Sequence, residues 1–498
     1  MNGDLQANRD SAASLAAPGA RASAGAAAPA ARAAQRRAFA VEDVLLIALV
    51  AGLAWAPFWL GGNQLLPWGV NAVLFPALAL AYEASLLIGG RPHAFAARRI
   101  AVPIALFLLV VAWIFVQNSP LASAALAHPI WAMASDALGT ALPATISVNP
   151  PAAMRALMRL LTLASVFWLS LQLCRDSQRA LTLLRAVAAI VAAYSIYGLI
   201  LAVGFGGAIP FFNEPPGAGA VRSTFTNRNS FATYAGLGLI VLVALTLRLY
   251  RHAIPDASGL NAFRLSKFIA ATGRMAGFTL AAGLIVLGAL LATASRGGLL
   301  SAAVGLFAAL ALTLTRRRRG RGDSIEAIAF VAVAAVIAFA FFGDRVVGRI
   351  VASGLQDTSR AAVYLIALRA IIDAPVLGFG YGGFADVFPL YRDQSIPPDL
   401  IWLQAHNTYL EVWLGLGLVV GLALMAAVGL LALKCVVGAI NRQRDSIAPI
   451  VATAATLLVG VHALVDFSLQ IEAVALTFMA LLGAGVAQSE SSRRAVAD

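Results

Sequence analysis

Apolar runs of about 20 residues recur along this chain, and arginine clusters break them. In hydrocarbon each run must satisfy its own backbone hydrogen bonds, so each is expected to be a helix. The expected fold is therefore all-α: a polytopic integral membrane helix bundle of about 12 transmembrane helices. Composition agrees. Of 498 residues, 60% are hydrophobic and 12% are charged, against about 25% charged in an ordinary soluble domain. The formal net charge of +13 would suggest nucleic acid in a soluble protein. Here most of the excess sits in short loops, where it sets topology and meets anionic lipid, so membrane lipid is an expected partner and nucleic acid is not. Cys174 and Cys435 fall at the expected cytoplasmic ends of spans, and a structural disulfide is not expected.

Residues 1–38, rich in Ala with Ser, Gly and scattered Arg, read as a disordered cytoplasmic tail without the apolar core of a secretory signal. Residues 39–487 form the transmembrane domain, and 488–498 a short cytoplasmic tail. The expected spans are about 44–60, 66–88, 100–116, 156–174, 181–203, 231–249, 278–294, 299–314, 325–342, 409–433, 447–465 and 471–486. Arginines mark the cytoplasmic loops at Arg91, Arg98 and Arg99, at Arg175 to Arg179, and most strongly in the RRRRGR run from Arg316. Both termini then lie inside. A long external loop, 343–405, contains an amphipathic helix. It starts at the DTS of Asp357 to Ser359 and stops near Asp373, because Pro375 disfavours helix at Ala374. The glycines of GFGYGGF (Gly378 to Phe384) have no preceding strand. They are read as permitting close backbone approach to lipid, glycan or another loop.

Some arginines fall on the wrong side. Arg222 and Arg228 lie in the second external loop, Arg360 in the long one, and Arg296 in the tight SRGG turn between two apolar spans. A guanidinium at the membrane surface is costly without an anionic partner, and its donor fork fits phosphate oxygens. Pairing with lipid phosphate or a local carboxylate explains any one of them; the set, together with an external histidine, favours a diphosphate-binding site. In TFTNRNS (Thr224 to Ser230), Asn229 or Ser230 caps the following helix or contacts ligand. His406 and Asn407 stand where the long loop becomes a span. Glu411, just over one turn on, is placed to orient the imidazole and raise its basicity. His93, His128, His252 and His462 have no such company and read as structural. No metal-ligand spacing, nucleophile elbow or ATP-binding signature is present, so neither metal nor cofactor is expected.

Several stretches occur in a telling order: ISVNPPAAMRALMRLLTLASVFWLS, RSTFTNRNSFATYAGLGLI, SRGGLL, DTSRAAVYLIALRAIIDAPVLGFGYGGF and HNTYLEVWLGLGLVVGL. Together they resemble the O-antigen ligase and polymerase superfamily of bacterial membrane glycosyltransferases, from about the third span to the tenth. The resemblance implies a multi-pass protein of the bacterial inner membrane with its active site facing the periplasm. It implies a glycan donor on undecaprenyl diphosphate. The acceptor is lipid A–core for a ligase, a lipid-linked repeat unit for a polymerase, or a protein in some relatives, and the sequence leaves these open. The family's external arginines map to Arg222, Arg296 and Arg360, with Arg228 less closely matched, and its histidine maps to His406. The implied chemistry is metal-independent direct displacement with inversion. His406 acts as base and the arginines stabilise the departing diphosphate. The competing reading is a secondary transporter or flippase of lipid-linked sugars, which about 12 spans would also fit.

Overall fold

The computed structural model describes residues 41–120, 125–210, 212, 219–253, 274–315, 358–442 and 445–490. The expected N-terminal tail, most of the basic loop before the seventh span, the RRRRGR run, the ninth span and the first part of the long loop lie outside the described residues. So do residues 491–498 of the C-terminal tail.

The described residues build helices and no extended strand. In chain order they are α1 (41–55), α2 (Leu65–Gly89), α3 (Ala101–Asn118), α4 (Ile130–Leu138), α5 (Pro150–Leu173), α6 (Ser177–Gly204), α7 (Arg228–Ala253) and α8 (Arg274–Ala292). Then follow α9 (Arg296–Thr315), α10 (Thr358–Asp373), α11 (Phe384–Tyr391), α12 (Thr408–Leu416), α13 (Leu418–Asn441), α14 (Ile447–His462) and α15 (Glu472–Ser489). Among the described residues, 9 helices are long and apolar enough to cross a membrane. The expected first span corresponds to α1 and the expected eleventh to the shorter α14. The expected tenth span is not one helix: it breaks at Gly417 into α12 and α13.

The centre of the bundle is α7 and α15, which are almost wholly buried, whereas α2 and α3 present most of their surface outward. Small residues permit that density. A Cβ on Gly238 would stand 2.3 Å from Val191, and one on Gly485 2.2 Å from Ala452. With lipid on the outside, such close backbone approach supplies the dispersion contacts that hold helices together. One end of the bundle is laced by ion pairs. Glu490 meets Arg99 and Lys434, Arg179 meets Glu42 and Asp43, and Arg248 meets Asp445.

The opposite end carries a cap with its own small core, in which Val363, Ile366, Phe379, Phe388 and Leu414 from α10, the glycine-rich segment, α11 and α12 pack together. The glycine-rich segment is the strap beneath it. Phe379 N donates to Leu414 O at 2.9 Å, Gly380 N to Gly415 O at 3.0 Å, and Val148 N to Phe379 O at 2.9 Å. Gln117, at the end of α3, donates to Leu377 O and Gly415 O. The glycines thus face another stretch of the chain's own backbone. Gly417 has φ +78°, and a Cβ there would stand 2.2 Å from Val376 O. No larger residue fits, and the break lets Leu418 N reach Pro375 O at 2.7 Å. The α10 helix ends at Asp373 as expected; Val363, Ile366 and Ala370 are buried, while its outward face mixes exposed Leu365, Leu368 and Ile372 with exposed Arg369 and Asp373.

Candidate functional site

At the cap end, the short connection 463–471 between α14 and α15 is a hub on which four other helix starts converge. From α7, the Asn229 side chain donates to Asp466 and accepts at its carbonyl oxygen from Ser295 Oγ at 2.8 Å. Ser295 precedes α9, so this one amide joins the beginnings of α7 and α9. At the start of α10, Arg360 donates to Val465 O at 2.8 Å. At the start of α12, Asn407 donates to Leu464 O at 3.0 Å, Thr408 N to Ala463 O at 2.9 Å, and Thr408 Oγ1 to Asp466 O at 3.2 Å. Helix beginnings expose unpaired N–H groups and a positive partial charge. Four of them gathered with Arg228, Arg296 and Arg360 in their first turns make this end of the molecule suited to an anion.

His406 sits immediately before this convergence. Its φ of +54° lies in the left-handed region. The conformation is held from both sides: Tyr364 OH donates to its carbonyl at 2.8 Å, and Asn407 caps α12 through Tyr409 N and Leu410 N. The ring stands nearly perpendicular to those of Trp402 and Phe467, with centroids 5.4 and 4.8 Å away. Its Nδ1 stands 3.8 Å from Asp466 Oδ1, and the side chain keeps 21% of its exposure while that of Asp466 keeps 1%. Burial pushes the Asp466 carboxyl up. The imidazole of His406 beside it, the nearby His462 and the N–H of Phe467 outweigh that and hold it below the usual carboxylate range.

The structure therefore brings His406, Asn407, Asn229 and Arg360 to one hub, with Arg228 and Arg296 opening the two helices that Asn229 and Ser295 join. Arg222 is buried beside the same turn, since Val221 N donates to Ala292 O at 3.0 Å; its own guanidinium contacts Thr226 O and Gly207 O at 3.4 and 3.5 Å. Two expectations change. The carboxylate next to the imidazole is Asp466 and not Glu411, whose oxygens accept from Ala405 N and Gln470 Nε2. The start of α7 is capped by Asn227, which accepts from Asn229 N at 2.8 Å, so Asn229 is freed to face Asp466. His462 is buried, and its Nδ1 meets Thr233 Oγ1 at 2.9 Å and Ser468 Oγ at 3.1 Å. His93 pairs with Glu83 at 2.8 Å.

Sequence reading also passed over a second feature. A cavity of about 810 Å³ opens between α3, α5 and α12 to α15. Ile104, Phe107, Leu163, Leu424, Val428 and Phe478 make its long apolar wall; Arg155, Arg159, Gln404, Thr408, Glu411 and Gln470 make its polar end, behind the His406 loop. Arg159 is held by Glu472 at 3.4 Å, by Gln470 O, and over the Trp68 ring at 4.3 Å. Arg155 is exposed. The signal was available: Arg159 inside an apolar span, one helical turn from Arg155 at its edge, needs a reason to be there. For Asp466 it was a lone carboxylate in a short turn between two spans.

A bundle of membrane-spanning helices with a histidine and several arginines gathered at helix starts under a cap is the class of protein this geometry defines. Residues 281–426 match the family model described as O-antigen ligase, and this match supports the O-antigen ligase superfamily for the chain. The matched stretch runs from α8 into α13 and contains Arg296, Arg360, His406 and Glu411; Asn229 and Asp466 lie outside it. No curated protein matches the chain.

Proposed function

We propose that the protein is an O-antigen ligase- or polymerase-like membrane glycosyltransferase that moves a glycan from undecaprenyl diphosphate to an acceptor hydroxyl on the periplasmic side. The observation that carries this reading is the pairing of His406 with Asp466 at the point where four helix starts and their arginines meet. The acceptor hydroxyl loses its proton to Nε2 of His406 as its oxygen bonds to the anomeric carbon. The bond from that carbon to the diphosphate oxygen breaks, and the electron pair leaves with the diphosphate. Attack opposite the leaving group inverts the anomeric configuration. Asp466 stands 3.8 Å from Nδ1, beyond hydrogen-bond distance, and its negative charge stabilises the imidazolium that forms. Arg360, Arg296, Arg228, Arg222 and the helix starts balance the growing charge on the diphosphate. The cavity behind the loop is apolar along its length and polar at its end, where Arg155 and Arg159 stand with Glu411 and Glu472, and it has the character of a site for a lipid chain.

The test is transfer in proteoliposomes from an undecaprenyl-diphosphate glycan, offered lipid A–core or a second lipid-linked repeat in separate reactions. Product on lipid A–core identifies a ligase, and a ladder of longer lipid-linked chains a polymerase. His406→Ala is expected to lower either rate by on the order of 10²- to 10⁴-fold, and chelator is expected to leave it intact. Unchanged rates in His406→Ala would remove the base. Translocation of the labelled donor without product would replace transfer by transport.

A further inference from the structure

The left-handed His406 needs a fixed backbone on its N-terminal side, and one carboxylate supplies it. Ala405 N donates to Glu411 Oε1 at 2.6 Å, and Gln470 Nε2 donates to the other oxygen. The carbonyl of Gln470 in turn accepts from Arg159, whose guanidinium pairs with Glu472 and forms part of the cavity wall. A continuous set of hydrogen bonds thus runs from α5, through the start of α15, to the peptide before His406. A carboxylate in the first turn of α12 would favour that helix start wherever it pointed. Here both oxygens have separate partners outside the helix, which is more than a helix start requires.

We propose that Glu411 is a positioning residue for His406. It acts through the Ala405 amide and not through the imidazole, with Gln470 as the latch that holds it. Fixing Ala405 sets the backbone at His406 and so the approach of the ring to Asp466. This rests on the transfer reading given above. Its consequence for rate follows from geometry, since a base displaced by about 1 Å loses on the order of 10²-fold in rate while substrate binding is spared.

The test compares wild type, Glu411→Leu, the exchanged pair E411Q/Q470E, and His406→Ala, in the proteoliposome transfer assay and by thermal unfolding in detergent. In the exchanged pair the new amide at position 411 accepts from Ala405 N through its carbonyl oxygen. Its NH₂ donates to the new carboxylate at position 470, so the latch is rebuilt with donor and acceptor exchanged. Glu411→Leu is expected to lower kcat by about tenfold to 10²-fold with KM for the donor little changed, and the exchanged pair is expected to recover most of that loss. A Glu411→Leu protein with wild-type kcat, or an exchanged pair that folds yet is as slow as Glu411→Leu, would overturn the proposal. His406→Ala with full activity would instead remove the transfer reading beneath it, so the two failures are distinguishable.

Discussion

Asp466 is the residue on which the site's electrostatics turn. It is 1% exposed, and burial alone would raise its carboxyl, yet the His406 imidazole, the nearby His462 and the N–H of Phe467 hold it below the ordinary range. A carboxylate whose folded pKa lies below its unfolded one stabilises the fold above the unfolded value, and the contribution disappears as pH falls through the folded value. The thermal midpoint of the wild type is therefore expected to drop more steeply than that of Asp466→Asn as pH is lowered past the ordinary carboxylate value of 3.8. Unfolding in detergent across that range checks it. Parallel curves would show that Asp466 does not titrate with folding. At neutral pH the same variant is expected to lose on the order of 10²-fold in kcat, because the imidazolium formed during transfer loses its neighbouring anion.

Among the elements, the break between α12 and α13 is the one that positions the site. A continuous helix from Thr408 to Asn441 would carry the His406 loop away from the cap. Gly417, at φ +78° and ψ 169°, turns the chain, and Pro375 and Val376 fill the space where a side chain would be. That backbone region is essentially confined to glycine and costs other residues about 1–3 kcal/mol before any clash. Gly417→Ala is expected to lower the thermal midpoint, to expose the 374–417 segment to limited proteolysis, and to reduce transfer. Wild-type resistance to protease would mean that the cap docks without this turn. The glycines of this span allow for a break in the sequence, but glycine is common in membrane helices and usually serves packing, as Gly238 and Gly485 do, so its position was not legible.

For the whole molecule, the arrangement of charge suggests an orientation. Ion-paired arginines and lysine gather at one end and the cap lies at the other, as the positive-inside rule expects of cytoplasmic and external ends. Cys174 and Cys435 are both fully buried, so the native chain gives little thiol background. Ile401 is 84% exposed in the loop before His406. An Ile401→Cys variant is expected to react with a membrane-impermeant maleimide added outside intact spheroplasts. Labelling only after the membrane is broken would place the site on the cytoplasmic face and overturn the proposed sidedness.

Periodicity, a local property, determined the helical class and the multi-pass membrane character, because lipid leaves an apolar run of this length only one way to satisfy its backbone. The same logic made Arg296, Arg360 and His406 conspicuous as polar groups set where they are costly. Only the tertiary structure decided which groups share a pocket. Glu411 is close to His406 in sequence, but the geometry of the first turn sends its carboxylate to Ala405 and Gln470. Asp466 lies two helices further along the chain and reaches the ring because α13 and α14 return it to the same end of the bundle. Pairing of this kind depends on packing between helices, to which hydrophobic periodicity within one helix is blind.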